Sequence, residues 1–366
     1  MTSPRAPQAP APGAVRRKAI AVSDHTLVRE RMLHPDRPLP LVIEPAVTGV
    51  DLVEWAAGHR EALERKVLEH GAILFRGFPC KTVERFEQVI ASLSPGALEY
   101  MFRASPRTRV GGNIYTSTDY PADQRIFPHN EHSYSPRFPL RLFFYCHQPS
   151  ETGGETPVGS TREVLRRIRP EIRERFREKK VLYVRNYGDG FGLPWQTVFQ
   201  TEDRGEVAAY CASVGIEIAW KPDNRLRTTQ VGPAIVRHPR TGEEVWFNHA
   251  TFFHVSTLPE EIRGPLTASF ADDELPTNTF YGDGSPIEPE VLAELREAYL
   301  ASLVKFPWQQ GDVLFIDNML CVHGRESYTG KRAILTGMAE AQLSKDLEHG
   351  PRAAPDERPL STGDIR

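Results

Sequence analysis

No run of apolar residues approaches the roughly 18 that a membrane-spanning helix needs, so no membrane span is expected. The opening stretch, MTSPRAPQAPAPGAVRRKA, is rich in Pro, Ala and Arg and has no continuous apolar segment. It makes a poor secretory signal, which points to a cytoplasmic protein. Cysteine is scarce: Cys80, Cys146, Cys211 and Cys321 are widely separated and form no CxxC. A zinc ribbon is therefore not expected, and four free thiols are the simplest reading. Neither sign of charge dominates, with 45 Lys and Arg against 48 Asp and Glu and a formal net charge of −3. That balance argues against a nucleic-acid binder working through a broad basic surface. A GxGxxG fingerprint, a Walker loop and internal repeats are all missing, and no alternating βαβ order is seen.

What is present is a chain of 366 residues, 40% of them hydrophobic, which can bury a sizeable core. Residues 1–20 and 346–366 are polar or Pro-rich and are expected to be disordered tails. A single domain over 21–345 is expected between them. Ordered structure is expected to start near Leu39, with PLVIEP as a strand. Asp51 to His70 reads as one helix stopped by Gly71, and AILFRGF as a strand. Thr82 can cap a helix that turns Val83, Phe86, Val89, Ile90 and Leu93 inward. RLFFYCH (141–147) has strand length and apolarity. Ser160 and Glu163 form a capping-box pattern, and Pro170 suits a first helical position. From about Pro233 the segments AIVRH, EVWFNHA, VLFID and RAILTGM read as strands, interrupted by a helix from Pro289 to about Leu303. The expected class is mainly β with helical insertions, a β-sandwich or jelly roll decorated by helices.

Two imidazoles and one carboxylate can take one face of an iron ion and leave three positions open. A His-x-Asp/Glu pair is the sequence mark of such a triad, because i and i+2 on an extended strand point to one side. Three pairs occur: His34/Asp36, His59/Glu61 and His129/Glu131. The first lies in a polar segment and the second inside the expected helix, where i and i+2 diverge. The third lies in IFPHNEHSY, a non-helical stretch before an apolar strand; on spacing alone a solvated polar turn would serve as well. His323 ends the strand-like run DVLFIDNMLCV and offers the third ligand. Nine residues later Arg332 opens another apolar strand. Antiparallel neighbours joined by a short loop would bring His323 and Arg332 to one cavity. There the guanidinium could clamp the far carboxylate of 2-oxoglutarate in a bidentate pair. A surface charge beside Lys331 is the plain alternative. Thr156 could bond the same carboxylate or simply serve the turn after its glycines. His132 could replace Glu131, although i+3 suits a strand poorly. His249 and His254 flank ATFF and read first as core histidines, and His147 and His238 as structural. Zinc also accepts two His and a carboxylate. A zinc hydrolase remains an alternative, although no HExxH helix is present and it has no use for Arg332. A non-catalytic protein on a dead oxygenase fold would have lost a ligand or the clamp.

The chain resembles the TauD/TfdA family of Fe(II)/2-oxoglutarate dioxygenases, and within it the clavaminate synthase-like branch and the syringomycin-type amino-acid hydroxylases. The likeness runs from about Leu39 to Leu343. It is carried by HGAILFRGF, NIYTSTDYP, PHNEHSY, GGETPVGS, EVWFNHATFFH, YGDGSPIE and DNMLCVHGRESYTGKRAIL. The resemblance implies a double-stranded β-helix core, with Fe(II) held by His129, Glu131 and His323. It implies Arg332 as the 2-oxoglutarate clamp with Thr156 as its helper, and O2 as the other cosubstrate. Glu131 is present, so halogenation is not expected. Hydroxylation of an amino acid in antibiotic biosynthesis is implied, with the substrate free or tethered to a peptidyl carrier protein; desaturation or cyclisation with the same cofactors is the alternative. Thr116, Trp246 and Asn248 are candidates to read the substrate, and each could equally be a packing or backbone-bonding residue. Sulfonate-using members carry a second Arg four residues beyond the clamp, where this chain has Thr336, so taurine-like substrates are not expected. Relatives read FNQAH where this chain has Phe247-Asn248-His249-Ala250-Thr251. Nothing in the sequence fixes the oligomeric state.

Overall fold

The strand Arg137–Gln148 has every residue from Phe138 to Cys146 buried, which requires cover on both faces. The computed structural model supplies that cover; it describes residues 27–98, 107–118, 120–188 and 192–347. The strand lies inside an eight-stranded sheet. Its order is Val28–Met32, Leu41–Pro45, Ala72–Phe75, Val313–Asp317, Arg137–Gln148, Ala333–Leu343, Ile114–Thr116, Arg109–Gly111. Side chains alternate along the strand. Phe143 and Tyr145 pack with Leu52, Trp55, Val67, Phe86 and Ile90 of the N-terminal helices. Leu142, Phe144 and Cys146 turn the other way, onto Val158, Val304 and Cys321.

Those last residues belong to a four-stranded sheet ordered Leu303–Val304, Val158–Ser160, Cys321–Arg325, Ile126–His129. The large sheet is thus sandwiched between helices and this smaller sheet, and the layer between the two sheets holds the site. A second four-stranded sheet pairs Glu217–Lys221, Arg225–Gly232, Val181–Tyr187 and Thr277–Tyr281. The fold is mostly β with helices, as the sequence suggested.

Several local expectations need correction. The strand Val28–Met32 pairs antiparallel with Leu41–Pro45, so ordered structure begins before Leu39. The helix expected over 51–70 is two, Leu52–Gly58 and Arg60–His70. Gly58 is a poor helix former, and the His59 ring folds back to Trp55 O at 2.7 Å. Asp51 caps the first of these helices and Gly71, at φ 79°, ends the second. Thr82 caps Val83–Leu93 through Arg85 N, as expected. The capping box at Ser160 is not made. Ser160 ends a strand and pairs with Cys321, while Glu163 bonds Arg166. The run DVLFIDNMLCV is not one strand but two in different sheets, Val313–Asp317 and Cys321–Arg325, joined by a tight turn. Asp346 and Leu347 close the short helix Ser344–Leu347, so they do not belong to the C-terminal tail. The remainder of both expected tails lies outside the described residues. All four cysteines are free and buried. Among the described residues no helix is long and apolar enough to cross a membrane.

Candidate metal centre and cosubstrate pocket

His129 is the last residue of Ile126–His129, and His323 is the middle residue of Cys321–Arg325. The two strands pair antiparallel with His129 and His323 directly opposite. Their rings stand 4.6 Å apart, centroid to centroid. Glu131 joins them from the turn that follows His129, and the ligand atoms of all three lie within 4.8 Å of one another. The pair His129/Glu131 does not owe its shared direction to an extended strand, since the strand ends at His129. Asn318 sets it instead: its Oδ1 accepts from Glu131 N at 2.8 Å and its Nδ2 donates to Glu131 O at 2.9 Å.

The protonation states suit a divalent cation. The Nδ1 atom of His129 lies 2.9 Å from Phe127 O, so it carries the proton and leaves Nε2 as the donor atom. Burial depresses the pKa of His129 and, more strongly, of His323, keeping both imidazoles neutral. Burial opposes the charge of Glu131, yet the Arg107 guanidinium beside it outweighs burial and holds its carboxyl well below the usual range. Arg107 donates to Glu131 Oε2 at 2.8 Å, and that oxygen lies 3.7 Å from His323 Nε2. His132, with its pKa lowered to about 4 by burial, sits 3.3 Å from the other oxygen. Two neutral imidazoles and one ionised carboxylate on one side of a cavity are the donor set of a facial iron site. Phe252 and Phe144 pack on the His129 and His323 rings at 4.5 and 5.0 Å.

Arg332 lines a cavity that His129, His323, Ser117, Thr156 and Arg107 also line. The strand it precedes, Ala333–Leu343, belongs to the large sheet and Cys321–Arg325 to the small one, so the two are not hydrogen-bonded neighbours. The shared cavity arises because they face each other across the sandwich. Arg332 Nε donates to Gly154 O at 2.9 Å, and Nη2 reaches Thr156 Oγ1 at 3.4 Å. Gly154 has φ +71°, and a Cβ there would meet Arg332 Cδ at 3.0 Å and Ser150 Oγ at 2.5 Å, which accounts for the second glycine of the GGETP motif. Burial, then Arg325, lowers the Arg332 pKa to about 10, still charged at neutral pH. Arg325 spans the loop carbonyls of Tyr120, Pro121 and Gln124 at 2.9, 2.5 and 2.8 Å and walls the cavity.

The three residues expected to read substrate are not among those lining this cavity. Thr116 accepts from Thr108 N, while its neighbours Ser117 and Thr118 line the cavity. Trp246 is fully buried against Phe176. Asn248 bonds Ala234 O and Ala250 N. His249 accepts or donates at Ser133 Oγ, 2.6 Å away, and its ring stands 5.8 Å from that of His129. His238 is buried against Asp317, and Thr336 is buried in the large sheet. Sequence reasoning missed Arg107, Arg325 and Asn318. The Asp317-Asn318 pair ahead of an apolar strand was the visible cue for Asn318, whereas Arg107 sits in a polar stretch without a local pattern.

The chain is 40% identical over 323 residues to the dapdiamide synthesis protein DdaC of Enterobacter agglomerans, covering 88% of this chain and 97% of that one. It is 29% identical over 333 residues to a clavaminate synthase-like protein of Arabidopsis thaliana, covering 86% and 98%. Among solved structures, PvcB, an Fe, alpha-ketoglutarate dependent oxygenase from an isonitrile synthetic pathway, shares the fold with a TM-score of 0.53 at 17% identity, covering 90% of this chain and 98% of that one. The pattern of the family described as taurine catabolism dioxygenase TauD, TfdA matches residues 35–339, most of the chain, and the protein belongs to that family of dioxygenases.

Proposed function

We propose that the protein is an Fe(II)- and 2-oxoglutarate-dependent hydroxylase acting on an aliphatic C–H bond of an amino acid or amino-acid-derived substrate, built on a double-stranded β-helix (jelly-roll) domain. One observation carries the reading: the two histidines of a His/Glu/His donor set line one cavity with a buried, charged Arg332. In this reading His129, Glu131 and His323 hold the iron. Bound there, iron supplies the activation of O2, with 2-oxoglutarate as the two-electron co-reductant that leaves as succinate and CO2.

The remaining work falls to the chain. Arg332 and Thr156 grip the far carboxylate of 2-oxoglutarate and fix its direction toward the histidines. Phe144 and Phe252 exclude water from the two imidazoles. Arg107 keeps Glu131 ionised, and neutral His129 and His323 offer their ring nitrogens. A place in natural-product biosynthesis is supported by the likeness to a dapdiamide synthesis protein. A substrate tethered to a peptidyl carrier is kept within this reading.

The test is an anaerobic titration of the metal-free protein with Fe(II) and 2-oxoglutarate, followed in the visible spectrum. A weak charge-transfer band that disappears in His129→Ala and weakens in Arg332→Ala is the expected result. No band, with zinc retained at the same residues, would instead favour hydrolytic chemistry.

A further inference from the structure

Glu131 lies outside any strand ladder. It follows the end of Ile126–His129, and His132 after it is held at φ 57°. Its backbone N–H and C=O are buried and need partners. Both are met by one side chain from the far end of the sequence. Asn318 Oδ1 accepts from Glu131 N at 2.8 Å, and Asn318 Nδ2 donates to Glu131 O at 2.9 Å and to Pro139 O at 2.8 Å. The exchange runs in the other direction as well, since Asn130 Nδ2 donates to Asn318 O at 2.5 Å and to Cys321 O at 3.3 Å. Asn318 and Asn130 are both fully buried.

Asn318 is itself immobilised. Its N–H donates to Leu140 O at 2.9 Å. Asp317 beside it accepts from Met319 N and Leu320 N, closing the tight turn. Arg141 and His238 hold the Asp317 carboxylate from behind. That turn leads within three residues into Cys321–Arg325, the strand that carries His323. The same rigid turn therefore fixes His323 through the chain and Glu131 through the Asn318 side chain.

We propose that Asn318 is a positioning residue for the metal site, setting Glu131 relative to His323 through paired bonds to the Glu131 backbone. The inference rests on the reading of His129, Glu131 and His323 as metal ligands. An outer residue that orients a ligand typically changes metal affinity about 10–100-fold when removed. A residue that only stabilises the fold would leave affinity unchanged in the fraction that remains folded.

Mn(II) and Co(II) binding to the full-length protein separates the two, measured by calorimetry together with the visible d–d bands of Co(II), beside thermal unfolding. Asn318→Ala is compared with Asn186→Ala. Asn186 is another buried amide bonded to loop carbonyls, those of Asp273 and Leu275, in the second four-stranded sheet, which carries none of the three ligands. The isosteric Asn318→Asp retains the acceptor for Glu131 N and lacks both donors, and it carries the test if the alanine variant does not fold. The expected result is a loss of Mn(II) affinity of about 10–100-fold and altered Co(II) bands in the Asn318 variants, with Asn186→Ala within about twofold of wild type. Wild-type-like affinity and Co(II) bands in a folded Asn318 variant would overturn the positioning role. So would an equal loss in Asn186→Ala. A wild-type protein whose Mn(II) binding is untouched by His129→Ala would instead overturn the metal-site reading, and this inference with it.

Discussion

Arg107 donates to Glu131 Oε2 at 2.8 Å, with both side chains about 95% buried. The Glu131 carboxylate thus already has a fixed cation beside it. Removing one partner of a buried ion pair leaves the other charge uncompensated, which costs about 3–5 kcal/mol. Arg107→Met should therefore lower the unfolding midpoint of the metal-free protein. A divalent cation can replace the missing positive charge, so Mn(II) should raise the midpoint more in the variant than in wild type. Melting curves with and without Mn(II) measure this, and equal gains in the two proteins would show that Arg107 does not share Glu131 with the metal.

His129 and His323 face each other across one ladder rung and are both held neutral by burial. Replacing either by Ala removes a donor atom outright. The loss in Mn(II) affinity should exceed the roughly 100-fold upper range for outer residues. Unfolding midpoints should shift little, because the ladder bonds are made by the backbone. Calorimetric titration gives the affinity. A His323→Ala protein that binds Mn(II) as tightly as wild type would remove His323 from the ligand set.

The parts of this site that were legible in the sequence are those whose chemistry travels with one side chain. Residue type and spacing made His129, Glu131, His323, Arg332 and Thr156 candidates beside plainer readings, and the family resemblance singled them out; the fold brings His129, His323, Arg332 and Thr156 to one cavity, with Glu131 beside the two histidines. What holds them was not legible. Asn318 acts through backbone groups 187 residues away in sequence, and Arg107 through a pair spanning 24. Neither separation leaves a periodic trace. The period-2 logic also reached too far at Glu131, which is turned by a clamp, and at DVLFIDNMLCV, whose apolar run conceals a turn because Asp317 and Asn318 satisfy it from inside the core. Trp246 and Asn248 were candidates for their polar atoms; the Trp246 ring packs on Phe176, and the Asn248 amide bonds backbone groups of Ala234 and Ala250.

Arg332 presents its guanidinium to the cavity with Thr156 Oγ1 at 3.4 Å. Hydrogen bonds between charged groups contribute about 1.5–3 kcal/mol each. Arg332→Met should raise the dissociation constant for 2-oxoglutarate on the Mn(II)-loaded protein about 100-fold, and Arg332→Lys, which keeps charge but not the fork, about tenfold. Thr156→Val removes one neutral hydroxyl, worth about 1 kcal/mol or roughly fivefold. Calorimetric titration ranks the three. An Arg332→Met protein with unchanged 2-oxoglutarate affinity but weakened affinity for the primary substrate would move Arg332 from the cosubstrate to the substrate.

Asp317 links this site to pH. Burial raises its pKa, but Arg141 first and then His238 outweigh burial and bring it from 3.8 down to about 2. A carboxyl whose folded value lies below its unfolded value binds fewer protons when folded. It therefore contributes stability above about pH 4, lost as pH falls through about 2. The difference corresponds to about 2 kcal/mol. Other carboxylates titrate in the same window, so the difference between wild type and Asp317→Asn isolates this one. At neutral pH the variant should be the less stable by about that amount, and the gap should close between about pH 4 and 2, read from urea unfolding at stepped pH. Because Asp317 also holds the turn that carries Asn318, Mn(II) affinity should weaken in the variant at neutral pH, where the wild-type carboxylate is fully ionised. A stability gap that stayed constant down to pH 2 would mean that the Asp317 charge is not what Arg141 and His238 stabilise.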